Sequence, residues 1–244
     1  MRDDRVLRLA QMLSSARCAV FFGGAGVSTE SGIPDFRSVD GLYHSQWDAP
    51  PETILSHSYF TRRPEQFFRF YREKMLFPNA RPNPAHLTLA RLESMGKLRA
   101  VVTQNIDGLH QAAGSQQVIE LHGSVHRNHC MSCGAFYDLG FILKSSGIPR
   151  CSRCGGIVKP DVVLYEEALP EAAVEAACDH LNSADLVIIG GTSLSVYPAA
   201  AFVQSCPGEK VIINRSPTPM DQTAALCIDR PIGQVLAECL PNVR

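Results

Sequence analysis

Six short apolar runs constrain the fold of this chain more than any other feature of its sequence. Most of them are continuous, and a continuous apolar run of this length is typical of a strand buried on both faces of a parallel sheet. Helical stretches lie between the runs, and this alternation predicts a doubly wound α/β domain. The predicted strands are Cys18–Phe22, Ala100–Gln104, Val118–Leu121, Leu186–Gly190, Lys210–Asn214 and Leu226–Asp229. The predicted helices are the amino-terminal stretch, Pro84–Met95, Pro170–Leu181, Pro198–Ser205 and Ile232–Leu240.

Two stretches interrupt this alternation. Residues 38–77 contain the only Trp and many other aromatic residues, and they read as helical. Residues 125–156 contain four of the nine cysteines. A chain of 244 residues suits one main domain with a small insert. We therefore expect a large domain made of residues 1–37, 78–124 and 157–244, beside a small domain made of the helical insert 38–77 and the cysteine module 125–156.

The cysteine module carries the strongest single motif. Two CxxC pairs, Cys130 with Cys133 and Cys151 with Cys154, are separated by seventeen residues. This spacing is typical of a zinc site built from two cysteine knuckles. Four thiolates complete the tetrahedron and leave no open position, so the predicted zinc is structural. A redox-active CxxC pair is the alternative interpretation.

The remaining cysteines and the charge balance restrict the cellular context. An odd cysteine total and the lack of a signal-peptide pattern argue against a disulfide framework and favour a cytoplasmic protein. The other five cysteines are predicted to be small buried residues: Cys18, Cys178, Cys206, Cys227 and Cys239. A formal net charge of -1 and the lack of a long apolar run predict neither nucleic-acid nor membrane partners.

A glycine-rich segment, "FFGGAGVSTESGIPDFR", follows the first predicted strand. Gly24 and Gly26 would let the backbone approach a ligand closely, and a helix amino terminus after them would favour phosphate. The dinucleotide fingerprint is imperfect, because it requires glycine where the chain has Thr29. A tight strand-to-helix turn is the alternative. Phe36 and Arg37, at the end of the segment, offer a stacking face and a cation.

Polar residues also follow three further strands. Gln104, Asn105 and Asp107 come after the second strand, where ligands of open α/β sheets bind, although an Asx turn or a helix cap would use the same residues. His122 follows the third strand and is a candidate general base, since imidazole titrates near neutral pH; a lone histidine is more often structural. Thr192, Ser193 and Asn214 end later strands, where Thr and Ser also serve as ordinary helix caps.

Taken together, these strings resemble the sirtuins, the NAD-dependent protein lysine deacylases, and in particular their bacterial members. The matching pieces occur in the family's order and span nearly the whole chain. They are "GAGVSTESGIPDFR", "TQNIDGLHQAAG", "LHG", the four cysteines, "KPDVVLYEEALP", "GTSLSVYPAA" and "IN". The resemblance implies a Rossmann-like NAD domain with a smaller helical and zinc-binding module, and an acyl-lysine protein or peptide substrate in the cleft between them.

The resemblance also implies roles for individual residues. His122 would be the general base and Asn105 a second catalytic residue. In the family's mechanism the acyl oxygen attacks the ribose carbon as nicotinamide leaves, and free lysine, nicotinamide and O-acyl-ADP-ribose result. His122 would also contact NAD. The implied contacts with phosphate and ribose are Gly24, Ala25, Gly26, Thr29, Phe36 and Arg37. Those with the nicotinamide riboside are Gln104, Ile106 and Asp107, and those with the adenosine half are Thr192, Ser193, Asn214, Asp229 and Arg230.

The expected activity is therefore NAD-dependent protein lysine deacetylation. The alternatives are mono-ADP-ribosyl transfer or long-chain deacylation on the same scaffold, and a non-enzymatic zinc-ribbon interaction protein. Two departures from the family bear on the peptide groove and the acyl pocket. Glu166 replaces a glycine that many members carry, and Phe68 and Tyr71 stand where members that remove acidic acyl groups carry Tyr and Arg; a shift in register would place Tyr71 and Lys74 there instead. From the departure at Phe68 and Tyr71 we expect an apolar acyl pocket that prefers acetyl groups.

Overall fold

The computed structural model describes residues 3–35, 47 and 49–244, which fold around two sheets. The predicted Phe36 and Arg37 therefore lie outside the described residues. The strands are β1 Ala19–Gly23, β2 Ala100–Thr103, β3 Val118–Glu120, β4 Asn128–Cys130, β5 Phe136–Tyr137, β6 Val158–Pro160, β7 Leu186–Gly190, β8 Glu209–Ile213 and β9 Leu226–Ile228. All six predicted strands are present, with ends within one residue of those expected.

The larger sheet has six parallel strands in the order β3-β2-β1-β7-β8-β9. Counted within this sheet alone, that order is 3-2-1-4-5-6, the doubly wound arrangement of Rossmann folds. The direction of winding reverses between β1 and β7, which pair in parallel from Ala19 with Leu186 to Gly23 with Gly190. Ligands of such sheets bind at the carboxyl ends of the strands near this reversal.

Helices cover the sheet and form most of the remaining structure. They are α1 Asp4–Ser15, α2 Pro51–Ile54, α3 His57–Arg62, α4 Pro64–Lys74, α5 Pro84–Ser94, α6 Leu109–Ala112, α7 Leu139–Lys144, α8 Glu171–Ser183, α9 Ala199–Gln204 and α10 Ile232–Cys239. Their starts follow local chemistry: the Asp3 carboxylate accepts the Arg5 N–H at α1, and Asn83 caps α5. Among the described residues, none of the helices has the length and apolar character needed to cross a bilayer.

The two faces of the large sheet explain why its strands read as continuous apolar runs. Phe21 and Ile188 point to the face covered by α1, α5 and α10, whereas their neighbours Phe22 and Ile189 point to the face covered by α8 and α9. All four side chains are fully buried. Because successive residues of a strand alternate between faces, both faces must be apolar when both are covered.

A third apolar cluster lies apart from the large sheet. It joins α2, α3 and α4 to the cysteine module, and it contains the fully buried Phe67, Phe68 and Tyr71 together with the buried Cys130 and Cys151. The module also contains a three-stranded antiparallel sheet in the order β5-β4-β6. This small sheet was not expected from the sequence, because strands of two or three residues are too short to show periodicity.

The five cysteines outside the module differ from the expectation in part. Cys206 and Cys239 are buried as predicted, whereas Cys18, Cys178 and Cys227 are only half-buried. Cys18 lies just before β1 begins, and Cys227 lies on β9, which is the outermost strand of the large sheet. Cys178 lies on α8, which packs on the sheet through Ala177 and Leu181. These three positions expose one side to solvent.

Candidate active site

Six strand ends meet at one edge of the large sheet and bound a cleft of about 1060 Å³. Parallel strands all present their carboxyl ends at the same edge, so the segments that follow them come together there although they are distant in sequence. These are the segments after β1, β2, β3, β7, β8 and β9. The predicted site residues that line the cleft are Ala25, Gly26, Thr29, Gln104, Asn105, Ile106, Asp107, His122, Thr192, Ser193, Asn214 and Arg230.

The glycine-rich loop packs tightly against the segment after β7. Gly26 N–H donates to the Gly191 carbonyl at 2.8 Å, and a Cβ on Gly26 would come within 2.8 Å of the Gly191 Cα. Gly24 does not line the cleft, because the Gln104 side chain covers it: a Cβ there would be 2.8 Å from Gln104 Oε1. The loop continues into short 3-10 turns instead of a regular α-helix. Glycine is required here for close backbone approach.

The polar residues after β2 form one hydrogen-bonded group with Ser28. The Ser28 hydroxyl donates to Asp107 Oδ2 at 2.6 Å, and Asn105 Nδ2 donates to Ser28 Oγ at 3.1 Å. Asp107 Oδ1 accepts the Leu109 N–H at 2.9 Å, which is the Asx turn that the sequence also allowed. The turn and a binding role are compatible, since Asp107 also lines the cleft.

Gln104 has one amide atom engaged and one without a partner. Its Oε1 accepts the Thr192 hydroxyl at 3.1 Å, which joins the segments after β2 and β7. Its Nε2 is buried and has no hydrogen-bond partner among the described residues. A buried donor without a partner costs free energy, so it favours a ligand with an acceptor oxygen, such as a ribose hydroxyl. This position of the cleft therefore fits a ligand that places an acceptor oxygen next to Gln104.

His122 lies two residues beyond the end of β3 and lines the same cleft. Its Nδ1 is 2.9 Å from the Gln104 carbonyl oxygen. Burial lowers the pKa of His122, and the bond to Gln104 opposes that shift in part. Gly123 follows with φ 73°, and a Cβ there would lie 1.8 Å from the Asp161 carbonyl oxygen, so only glycine fits beside this histidine.

The residues predicted for the adenosine half lie in the segments after β7, β8 and β9. Thr192 Oγ1 accepts the Leu194 N–H at 3.2 Å within a local turn; it is not the helix cap that the sequence also allowed, because α9 begins only after Pro198. Asn214 Nδ2 donates to the Ser216 carbonyl at 2.7 Å. Arg230 lines the cleft and pairs with Glu238, whereas Asp229 does not line it and pairs with Arg5 at 2.6 Å.

Several residues behind the cleft were not selected from the sequence. Asn83 Nδ2 donates to the Val27 carbonyl at 2.7 Å, which ties α5 to the glycine-rich loop. His86 and His110 are buried with ring centroids 4.7 Å apart. Burial lowers the pKa of His86 to about 4 and that of His110 to about 3. The histidine spacing showed no metal or catalytic pattern, so no sequence signal distinguished this pair from ordinary core residues.

The four cysteines of the module come together in one cluster. Their Sγ atoms all lie within 4.8 Å of one another, with Cys130 and Cys154 at 3.4 Å and Cys133 and Cys151 at 3.6 Å. Tetrahedral zinc with Zn–S bonds of about 2.3 Å requires sulfur atoms about 3.8 Å apart. The four residues therefore fit one zinc ion, and four sulfur ligands leave no coordination position open.

Comparison with known proteins connects these features to one family. The model of the Sir2 family matches residues 24–198. An NAD-dependent protein deacetylase of Clostridium perfringens is 54% identical over 242 residues, which are 98% of this chain and 99% of the relative. A Sir2 structure with a deacetylated p53 peptide and 3'-O-acetyl ADP-ribose superposes with a TM-score of 0.90 at 37% identity, covering 97% of this chain and 98% of that one. A Sir2 structure with a p53 peptide and NAD+ gives 0.84 at 39% identity, covering 94% of each chain.

Proposed function

The chain belongs to the Sir2 family and is an NAD-dependent protein deacetylase, and we propose that His122 is its general base. The observation that carries this role is the 2.9 Å contact between His122 Nδ1 and the Gln104 carbonyl oxygen. A carbonyl oxygen only accepts, so Nδ1 holds the proton and Nε2 of the neutral ring keeps its lone pair. The lowered pKa keeps that neutral form dominant at neutral pH.

NAD supplies an activated ribose carbon, and the reaction yields nicotinamide, free lysine and O-acetyl-ADP-ribose. We propose that His122 Nε2 takes a proton from a ribose hydroxyl. The Gln104 Nε2–H, which has no partner among the described residues, would donate to that ribose. Asn105, Ile106 and Asp107 would line the nicotinamide pocket, and the bond from Ser28 holds the Asp107 carboxylate in place.

The remaining NAD contacts are proposals from the family resemblance. The glycine-rich loop, with Gly24, Ala25, Gly26 and Thr29, would hold the phosphates. The cleft-lining positions of Ala25, Gly26 and Thr29 support this. The other proposed contacts are Phe36 and Arg37 near the reacting ribose, Thr192, Ser193 and Asn214 for the adenosine half, and Asp229 and Arg230 near the adenine.

We propose that the zinc is structural and that the chain divides as the sequence suggested, with residues 38–77 and 125–156 in the small domain. The shared apolar cluster of α2, α3, α4 and the cysteine module supports that division. We also propose a cytoplasmic location, because nine cysteines without a disulfide are typical of a reducing compartment. Acyl-lysine proteins or peptides are the substrates.

The decisive experiment measures nicotinamide release with and without an acetyl-lysine peptide. A deacetylase requires the peptide, whereas an ADP-ribosyltransferase would label an acceptor protein with ADP-ribose. His122→Ala should abolish deacetylation and still bind NAD in calorimetry, because the base is not needed to hold the dinucleotide. His180→Ala, on α8 outside the cleft lining, is the matched control and should keep wild-type turnover. Wild-type turnover in His122→Ala, or loss of NAD binding, would refute the assigned role.

A further inference from the structure

Glu166 has an unusual backbone conformation at the edge of the cleft. Its φ is 76°, and Leu194 is the only other residue besides glycine with a positive φ in the described part of the chain. A Cβ disfavours this left-handed region, so a glutamate occupies it only where its surroundings hold it there. Glu166 lies in what we call the lip segment, residues 164–167, which lines the cleft.

The side chain of Glu166 is fixed by a single residue of α3. Its Oε2 accepts both the Ser58 N–H at 2.9 Å and the Ser58 hydroxyl at 2.6 Å. These bonds lower the pKa of Glu166, so the carboxylate is ionised at neutral pH. Hydrogen bonds to an ionised acceptor are stronger than those between neutral groups. Glu166 is exposed, so solvent weakens these bonds, and they act together with the backbone bonds of the lip segment to hold the unfavourable conformation.

The rest of the lip segment is tied to the same short stretch of chain. The Tyr165 N–H donates to the Leu55 carbonyl at 3.0 Å, and the Tyr165 carbonyl accepts the His57 N–H at 2.9 Å. Glu167 Oε1 lies 2.9 Å from His57 Nδ1. The lip segment is thus held by its contacts with residues 55–58 and by Glu167 Oε2, which accepts bonds from the Leu164 N–H at 2.9 Å and from Lys159 Nζ at 3.1 Å. Glu166 provides the charged side-chain contact with Ser58.

The lip segment lies next to the proposed base. The Val163 N–H donates to the His122 carbonyl at 3.0 Å, so the segment begins directly beside the proposed base. Three residues span at most about 10 Å, which places Glu166 within that reach of Val163. A lysine side chain that presents its acyl group to His122 spans a comparable length, and its peptide backbone would therefore run along the lip segment.

We propose that Glu166 is a positioning residue: through Ser58 it holds the lip segment in the conformation against which the acyl-lysine peptide binds. This inference rests on the proposed function. It concerns peptide binding and not the chemistry of NAD, because neither Glu166 nor Ser58 is among the residues assigned to the dinucleotide. Ser58 does not line the cleft, so an effect of its substitution on peptide binding would have to act through the lip segment.

Steady-state kinetics with separate variation of peptide and NAD tests the proposal. Glu166→Ala should raise KM for an acetyl-lysine peptide on the order of tenfold, a change equal to about 1.4 kcal/mol. KM for NAD should stay within about twofold. Ser58→Ala should raise the peptide KM less, because the Ser58 N–H still donates. Glu166→Gln should recover most of the loss, because its amide oxygen still accepts.

Two controls make the result interpretable. Glu175→Ala removes an exposed carboxylate on α8, outside the cleft lining, and should leave the peptide KM unchanged. Thermal melts identify any variant that fails to fold, and peptide binding by fluorescence anisotropy gives a readout that does not depend on turnover. Deacetylation by the wild-type protein in the same assay tests the proposed function independently of the variants.

Two outcomes would overturn the inference. If every variant keeps the wild-type peptide KM, Glu166 does not determine the conformation of the lip segment. If Ser58→Ala behaves as wild type while Glu166→Ala and Glu166→Gln lose only peptides with Lys or Arg beside the acyl-lysine, Glu166 contacts the substrate through its charge instead of acting through Ser58.

Discussion

Asn83 connects the stability of the fold to the binding of NAD, and its replacement has a calculable effect. The side chain is 5% exposed and makes three hydrogen bonds. Its Oδ1 accepts the Ala85 N–H at 2.8 Å, which caps α5, and its Nδ2 donates to the Val27 carbonyl at 2.7 Å and the Ser31 hydroxyl at 3.0 Å. Asn83→Ala removes all three bonds.

The cost divides into two parts. Loss of the cap is worth about 1 kcal/mol. Loss of the amide donor leaves the Val27 carbonyl without this buried partner, at a cost of about 1–3 kcal/mol. The free energy of unfolding should therefore fall by about 2–4 kcal/mol, which in a chain of this size lowers Tm by about 4–16 °C. Asn83→Ser retains a capping oxygen and should recover about 1 kcal/mol of the loss.

Urea unfolding of the wild type and the two variants measures these differences, with zinc content checked in each sample. The same variants should raise KM for NAD, because Val27 and Ser31 belong to the glycine-rich loop. A fall of less than about 0.5 kcal/mol in Asn83→Ala would show that the two parts have been overestimated. If the free energy of unfolding falls by the expected amount while KM for NAD is unchanged, the glycine-rich loop does not depend on α5.

Three further predictions follow from other parts of the molecule. Cys151→Ser should lose zinc in metal analysis and unfold the small apolar cluster, because structural zinc contributes on the order of 10 kcal/mol to the folding of small zinc fingers. A variant that binds one zinc per chain and keeps full activity would contradict this. Acetyl peptides should be turned over far faster than succinyl peptides, because Phe68 and Tyr71 are buried and offer no guanidinium; equal kcat/KM would refute it. His86 and His110 have folded pKa values of about 4 and 3, below the unfolded value of 6.5, so the unfolded chain binds more protons in that range. The free energy of unfolding should therefore be independent of these groups above pH 6.5 and fall as pH drops from 6.5 towards 3. Chemical denaturation across that range measures this dependence of the free energy of unfolding on pH, which should be weaker in a His110→Phe variant.

The large sheet and the zinc site could be predicted because their signals are local and repeated. Each buried strand reads as an apolar run, and the polar residues after the runs identify the binding edge. The four cysteines needed only their spacing. The short strands β4 and β5 and the pairing of Asn128 with Tyr137 left no such signal, because their register is set by the metal module and not by alternation.

The finer features of the site depend on contacts between distant segments. The Ser28–Asp107 bond joins residues from two different loops, and the sequence gives no indication that a serine of the glycine-rich segment would meet that carboxylate. The left-handed conformation of Glu166 is equally unpredictable, since glutamate rarely adopts it and its compensation comes from Ser58. Such pairs are specified by tertiary packing, which periodicity does not encode.

The pairing of β1 with β7 has a consequence for the synthesis of the chain. Leu186 lies 167 residues after Ala19, its partner in the sheet. At about 5–20 residues per second, a ribosome needs about 8–33 s to make the intervening chain. During that interval one edge of a wholly apolar strand has no native neighbour, and such an edge is a site for aggregation. A newly made chain would therefore depend on chaperones until β7 emerges, and expression at lower temperature or with added chaperone should raise the yield of folded protein.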